Sequence, residues 1–192
     1  MAGHSPAYRT AQASSPQVRR SQLEVAALDT APGCLRLHTK HVLNEWGLSG
    51  LSDVTELLVS ELATNAVQAA PARVSAPSWP GPPSPGCPCV ELRLSADYRA
   101  LVIEVWDGDP ASPPPPRLPC GNALSGRGLF LVQELSDRWG FYFPALPPSG
   151  DMRDFDRFRS SVGPVPPALR PVTGKVVWFE FHCAAEVPGV LQ

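Results

Sequence analysis

The chain of 192 residues has almost no surplus of charge. Sixteen Lys and Arg against 18 Asp and Glu leave a net charge of −2 and an isoelectric point of about 6.1. No face is obviously basic, which argues against nucleic acid as a direct partner. The chain also lacks any apolar run close to the ~18 residues that span a bilayer. The opening "MAGHSPAYRTAQASSPQVRR" holds no apolar stretch of the kind a signal peptide needs. A soluble, cytoplasmic protein that works away from membranes is therefore expected. A cysteine framework is missing as well. Cys34, Cys87, Cys89, Cys120 and Cys183 are odd in number and scattered, which reads as reduced thiols. Cys87 and Cys89 stand one residue apart with no second ligand pair following, so no zinc site is expected there.

Proline is present in excess: 24 residues, more than twice the usual share of about 5%. Most lie in three segments, 71–89, 109–125 and 144–174, which must be loops because proline can neither continue a helix nor donate to a strand ladder. The length suits one domain with tails. The expected organisation is a polar tail over 1–22, a single domain over 23–183 interrupted by the three loops, and a short tail over 184–192.

Between the loops the periodicity is clear. "CLRLHTKHVLNEWG" (34–47) places Leu35, Val42, Leu43 and Trp46 near helical spacing and stops at Gly47. A second helix is predicted from an N-cap at Asp53, with Glu56 three residues on, to just before Pro71. "VELRLSADYRALVIEVWD" (90–107) alternates, turns at Ala96–Asp97 and resumes, the pattern of a hairpin. "GRGLFLVQELSDRWG" opens on glycines and continues as a short helix to about Leu135. "WGFYF" (139–143) and "KVVWFEFH" (175–182) complete the strands. Strands that arrive as hairpins imply a mixed, largely antiparallel sheet with helices on one face, a two-layer α/β sandwich.

Three constellations carry candidate chemistry. In "SELATNAVQAA" (60–70), Leu58, Val59, Leu62, Ala63, Ala66, Ala69 and Ala70 fall in one arc, while Glu61, Asn65 and Gln68 share a narrow stripe at its border. Such a stripe can face a ligand lying against the helix, or it can be an ordinary solvated edge. Asp107 ends an apolar strand and is followed at once by Gly108. A carboxylate there can accept a hydrogen bond from an exocyclic amine, and the glycine lets a planar ring come close; the plain alternative is an Asp-Gly turn. Gly126 and Gly128 stand where a helix begins, and a helix N-terminus offers free N–H groups to phosphate. "GNALSGRG" (121–128) is no P-loop, because Arg127 and Gly128 stand where lysine and hydroxyl are required and no strand precedes it.

The order Glu61-x-x-x-Asn65, Asp107, then Gly126-x-Gly128-Leu129 resembles the asparagine box and the two glycine boxes of the histidine-kinase-like ATPase (GHKL) superfamily. "ELLVSELATNAV", "EVWD", "GRGLFLVQELSDRWG" and "GKVVWFEF" are similar to its small single-domain branch of anti-sigma-factor serine kinases and related regulatory ATP-binding proteins, over about residues 34–183. The resemblance implies the Bergerat version of the two-layer fold and a Mg·ATP ligand. It implies that Asn65 coordinates Mg2+, that Asp107 with Gly108 receives adenine, and that Gly126, Arg127, Gly128 and Leu129 admit the phosphates. Glu61 would act as general base. The implied reaction is phosphorylation of a serine on an anti-sigma-antagonist protein, with a sigma factor as a second partner, and a homodimer stays open.

This chain departs from the branch at several points. Ala69 stands where histidine is common, Asp109 where glycine is common, and the four prolines at 113–116 are joined by one basic residue, Arg117. A module that binds ATP and switches a partner without phosphotransfer therefore stands beside the kinase. A sensor histidine kinase fragment is set aside, because His38 and His41 lie on a lone helix without a phosphoacceptor hairpin.

Overall fold

The computed structural model describes residues 18–70, 87–116, 127–144 and 174–183. Gly126, Arg117, Cys120, most of the three proline-rich loops and most of both tails lie outside the described residues. The elements run β1 (Arg19–Ala26), α1 (Ala31–Glu45), a 3-10 turn (Ser49–Leu51), α2 (Ser52–Ala69), β2 (Cys89–Ala96), β3 (Ala100–Asp107), α3 (Gly128–Leu135), β4 (Arg138–Tyr142) and β5 (Lys175–His182). Five strands form one sheet in the order β1-β2-β3-β5-β4, and every neighbouring pair is antiparallel.

The period-2 alternation of the strands sorts their side chains onto two faces. Leu92, Leu94, Leu101, Ile103, Val105, Val177 and Phe179 face the helices. They meet Leu35, Val42 and Leu43 of α1, Leu58, Val59, Leu62, Ala63 and Ala66 of α2, and Leu129 and Val132 of α3 in one buried core. The arc read from 58–66 is thus the core side of α2, and truncating a residue such as Leu62 to alanine would cost ~2–5 kcal/mol. Val102, Trp106, Tyr142, Val176 and Trp178 form a second buried cluster on the opposite face.

The hairpin turns where expected, and its mechanism is an Asx turn. The N–H groups of Arg99 and Ala100 donate to Asp97 Oδ1 at 2.7 and 2.9 Å. Helix α1 ends as the sequence indicates, with Leu48 N–H returning to the Leu43 carbonyl at 2.8 Å across Gly47.

Two expectations need correction. Asp53 is not an N-cap: α2 starts one residue earlier, fed directly by the 3-10 turn, and has no side-chain cap. Instead Ser52 Oγ donates to Glu56 Oε1 at 2.8 Å, while Asp53 sits exposed in the first turn. The tail read over 1–22 gives way to strand β1 from Arg19 onward. Its polar side chains conceal it because β1 lies at the sheet edge, where alternate residues stay half-exposed and backbone pairing to β2 supplies the order. Ser21 Oγ and His38 Nε2, 2.9 Å apart, link this strand to α1, and the Arg19 guanidinium packs over the Trp46 ring.

Candidate functional site

The ends of α2, β3, β5 and α3 surround a pocket of about 290 Å3, near the lower end of small-molecule sites. Helix α2 contributes Leu62, Asn65, Gln68 and Ala69; the sheet contributes Val105, Asp107, Lys175 and Val177. Asp109 with Ser112, Pro113 and Pro114 closes one side, and Leu129 of α3 closes another. Two members of the border stripe, Asn65 and Gln68, therefore face a cavity together with Asp107 and Leu129.

Glu61, Gly108 and Arg127 do not line that pocket. Glu61 nevertheless meets the glycine at the start of α3. A Cβ built on Gly128 would lie 3.0 Å from Asn65 Nδ2, 3.0 Å from Glu61 Oε2 and 3.2 Å from Glu61 Cβ. A side chain on Gly128 would force Asn65 and Glu61 to give way, and this contact joins the asparagine and glycine motifs across 60-odd residues of chain. Arg127 occupies the N-cap of α3, is exposed, and gives no side-chain cap. Among the described residues no side chain caps the first N–H groups of α3, the kind of donors an anion can use. At Gly108 an added Cβ would meet, among the described residues, only the Trp106 ring at 3.9 Å.

At the other end of the pocket, Asp107 is buried. Its Oδ1 accepts from Asp109 N–H at 2.9 Å and from Lys175 Nζ at 2.9 Å. Lys175 Nζ also donates to Asp109 Oδ2 at 3.0 Å. Burial pushes the Asp107 carboxyl above the ordinary range, and Lys175 with the Asp109 N–H pull it part of the way back. Asp109 lies below the ordinary range because Ala111 N–H and then Lys175 stabilise its charge. Sequence reasoning missed Lys175. A lysine opening an apolar strand is the only local sign, and its partners lie 66 and 68 residues away.

Cys34, Cys87, Cys89 and Cys183 are free thiols. Burial and the neighbouring Glu24 push Cys89 up to about 12, far from a thiolate. No cluster of three or more His, Cys, Asp or Glu residues suited to a metal occurs among the described residues.

The described residues thus gather Asn65, Asp107 and Leu129 around one cavity of a two-layer domain, with Glu61 against the start of α3 beside it. The profile of the histidine kinase-like ATPase domain matches residues 25–142. The chain belongs to that family, and ATP is its nucleotide. A comparison with curated proteins found no match. No helix among the described residues is long and apolar enough to cross a membrane.

Proposed function

We propose that this ATP-binding regulatory protein is a cytoplasmic serine/threonine kinase that phosphorylates an anti-sigma-antagonist protein. When the antagonist is absent it holds a sigma factor, and so regulates transcription without touching DNA. The observation that carries this reading is the meeting of Glu61 and Asn65 over Gly128, with the uncapped start of α3 beside them.

In the reaction the serine hydroxyl attacks the γ-phosphorus and the bond to the β,γ-bridging oxygen breaks. ADP leaves, and the hydroxyl proton passes to Glu61. Positioning and charge neutralisation supply most of such a catalysis, and the general-base step adds about 10²–10⁴-fold.

The donor set suits Mg2+, which takes one or two protein oxygens and completes its shell with phosphates and water. The Asn65 amide oxygen is the protein ligand in this reading. The bound ion would neutralise charge on the phosphates.

One observation favours a second reading, an ATP-binding partner switch without phosphotransfer. Glu61 does not line the pocket, although Asn65 does. Incubation with γ-labelled ATP, Mg2+ and candidate antagonists decides between the two, because label on the antagonist requires the kinase.

A further inference from the structure

Lys175 opens β5 directly opposite Asp107, which closes β3. Its side chain is 7% exposed, that of Asp107 6% and that of Asp109 28%. An ammonium that far from water must be matched by acceptors. Nζ has three donors and three acceptors in reach: Asp107 Oδ1 at 2.9 Å, Asp109 Oδ2 at 3.0 Å and the Asp109 carbonyl at 3.4 Å.

The backbone is shaped for this contact. Gly174 has φ +113°, and a Cβ there would fall 2.2 Å from the Asp107 carbonyl oxygen. No other residue could bring the start of β5 so close to Asp107.

The two oxygens of Asp107 are used unequally. Oδ1 takes both Lys175 and the Asp109 N–H. Oδ2 carries no hydrogen bond among the described residues, on a side chain more than nine-tenths buried that lines the pocket. Among the described residues, the other charged side chains lining the pocket are Lys175 and Asp109. Two carboxylates and one ammonium leave that end negative, suited to a donor and hostile to phosphate.

We infer that Lys175 is a positioning residue for the nucleobase: by occupying Asp107 Oδ1 it holds Oδ2 ready to accept a hydrogen bond from an exocyclic amine. Through Asp109 the same ammonium anchors the loop that closes the pocket. This inference rests on the pocket being the ATP site. Without the ammonium, only the Asp109 N–H on Oδ1 opposes the effect of burial on Asp107, and a protonated or rotated carboxyl is a poorer acceptor.

The test compares Mg·ATP with the 5′-triphosphate of unsubstituted purine riboside, which has hydrogen in place of the amine. Dissociation constants are measured by calorimetry for the full chain and for Lys175→Met, Lys175→Gln and Lys175→Arg, with circular dichroism confirming the fold. The parent protein prefers ATP by about 10–100-fold, the value of one hydrogen bond to a charged acceptor. In Lys175→Met the preference falls to about threefold or less, and Lys175→Arg, which keeps the charge, retains more of it. If Lys175→Met does not fold, Lys175→Gln is held to the same standard. Affinities that fall by one common factor for both nucleotides, leaving the preference intact, make Lys175 merely structural and overturn the inference. A parent protein that binds both nucleotides equally removes the amine contact itself, and overturns the adenine assignment together with the role of Lys175.

Discussion

Asn65 of α2 and Gly128 of α3 touch so closely that a methyl group on the glycine would lie 3.0 Å from the Asn65 amide nitrogen. The same methyl would crowd the Glu61 carboxylate. Gly128→Ala therefore displaces the two side chains on which the proposed chemistry depends. Both are flexible at their ends and alanine favours the helix, so thermal stability should change by no more than ~1 kcal/mol. ATP affinity should fall about tenfold, equivalent to ~1.4 kcal/mol. Calorimetry and a melting curve on one preparation check both halves; unchanged ATP affinity would show that the approach of α3 is irrelevant to the ligand.

Asp107→Asn tests the base end of the pocket. If Asp107 receives the base, its carboxylate would accept from the adenine amine but oppose the guanine carbonyl, so the parent protein should prefer ATP to GTP. The variant should lose about 10–100-fold in ATP affinity, with most of the ATP-over-GTP preference. Equal binding of the two nucleotides by the parent protein would count against this role.

If Asn65 supplies the metal ligand, Asn65→Ala should bind ATP with an affinity that no longer depends on Mg2+. Titrations with and without a chelator measure this. Persistent Mg2+ dependence would return Asn65 to an ordinary helix-edge residue.

His38 offers a pH test of the fold independent of nucleotide. Burial, reinforced by His41 and opposed by Glu45, holds its pKa below the usual value of about 6.5. A depressed folded-state pKa means that the unfolded chain takes up the proton first. Stability should therefore be constant with respect to this group above that value, and be lost as pH falls from about 6.5 through the folded-state pKa. His38→Gln, which can keep a hydrogen bond to Ser21, should flatten that segment of the curve. Denaturant midpoints between pH 7 and 5 follow it, and an equal slope in both proteins would assign the loss elsewhere.

The parts of the molecule legible in the sequence are those with a short-range period. The core arc of α2, the hairpin turned by Asp97 and the short helix before Leu135 are all set by residues within a few positions of each other. Asn65 and Asp107 could be named for the same reason, since each sits at a recognisable point of its own element; Leu129 came only with the glycine motif of the family resemblance, and the pocket brings the three together. What stayed hidden depends on distant pairing. Arg19–Gln22 is a strand only because β2 lies beside it. Lys175 reads as the polar start of an apolar strand until β5 is inserted between β3 and β4, which brings it against Asp107 and Asp109. Likewise Asp53 was a plausible cap until the 3-10 turn ran straight into α2.

A carboxylate beside the γ-phosphate is electrostatically awkward for binding, and accepting the proton of an incoming hydroxyl is the reason the account gives for Glu61. The most direct measurement is transfer of labelled γ-phosphate from Mg·ATP to candidate anti-sigma antagonists, made with the parent protein and with Glu61→Gln. The parent protein should yield labelled phosphoserine on an antagonist. The variant should bind ATP at least as tightly and label the antagonist about 10²–10⁴-fold more slowly. Equal rates in the two proteins would contradict the general-base role. A parent protein that binds ATP yet labels none of the antagonists would contradict the kinase itself, leaving the ATP-gated partner switch.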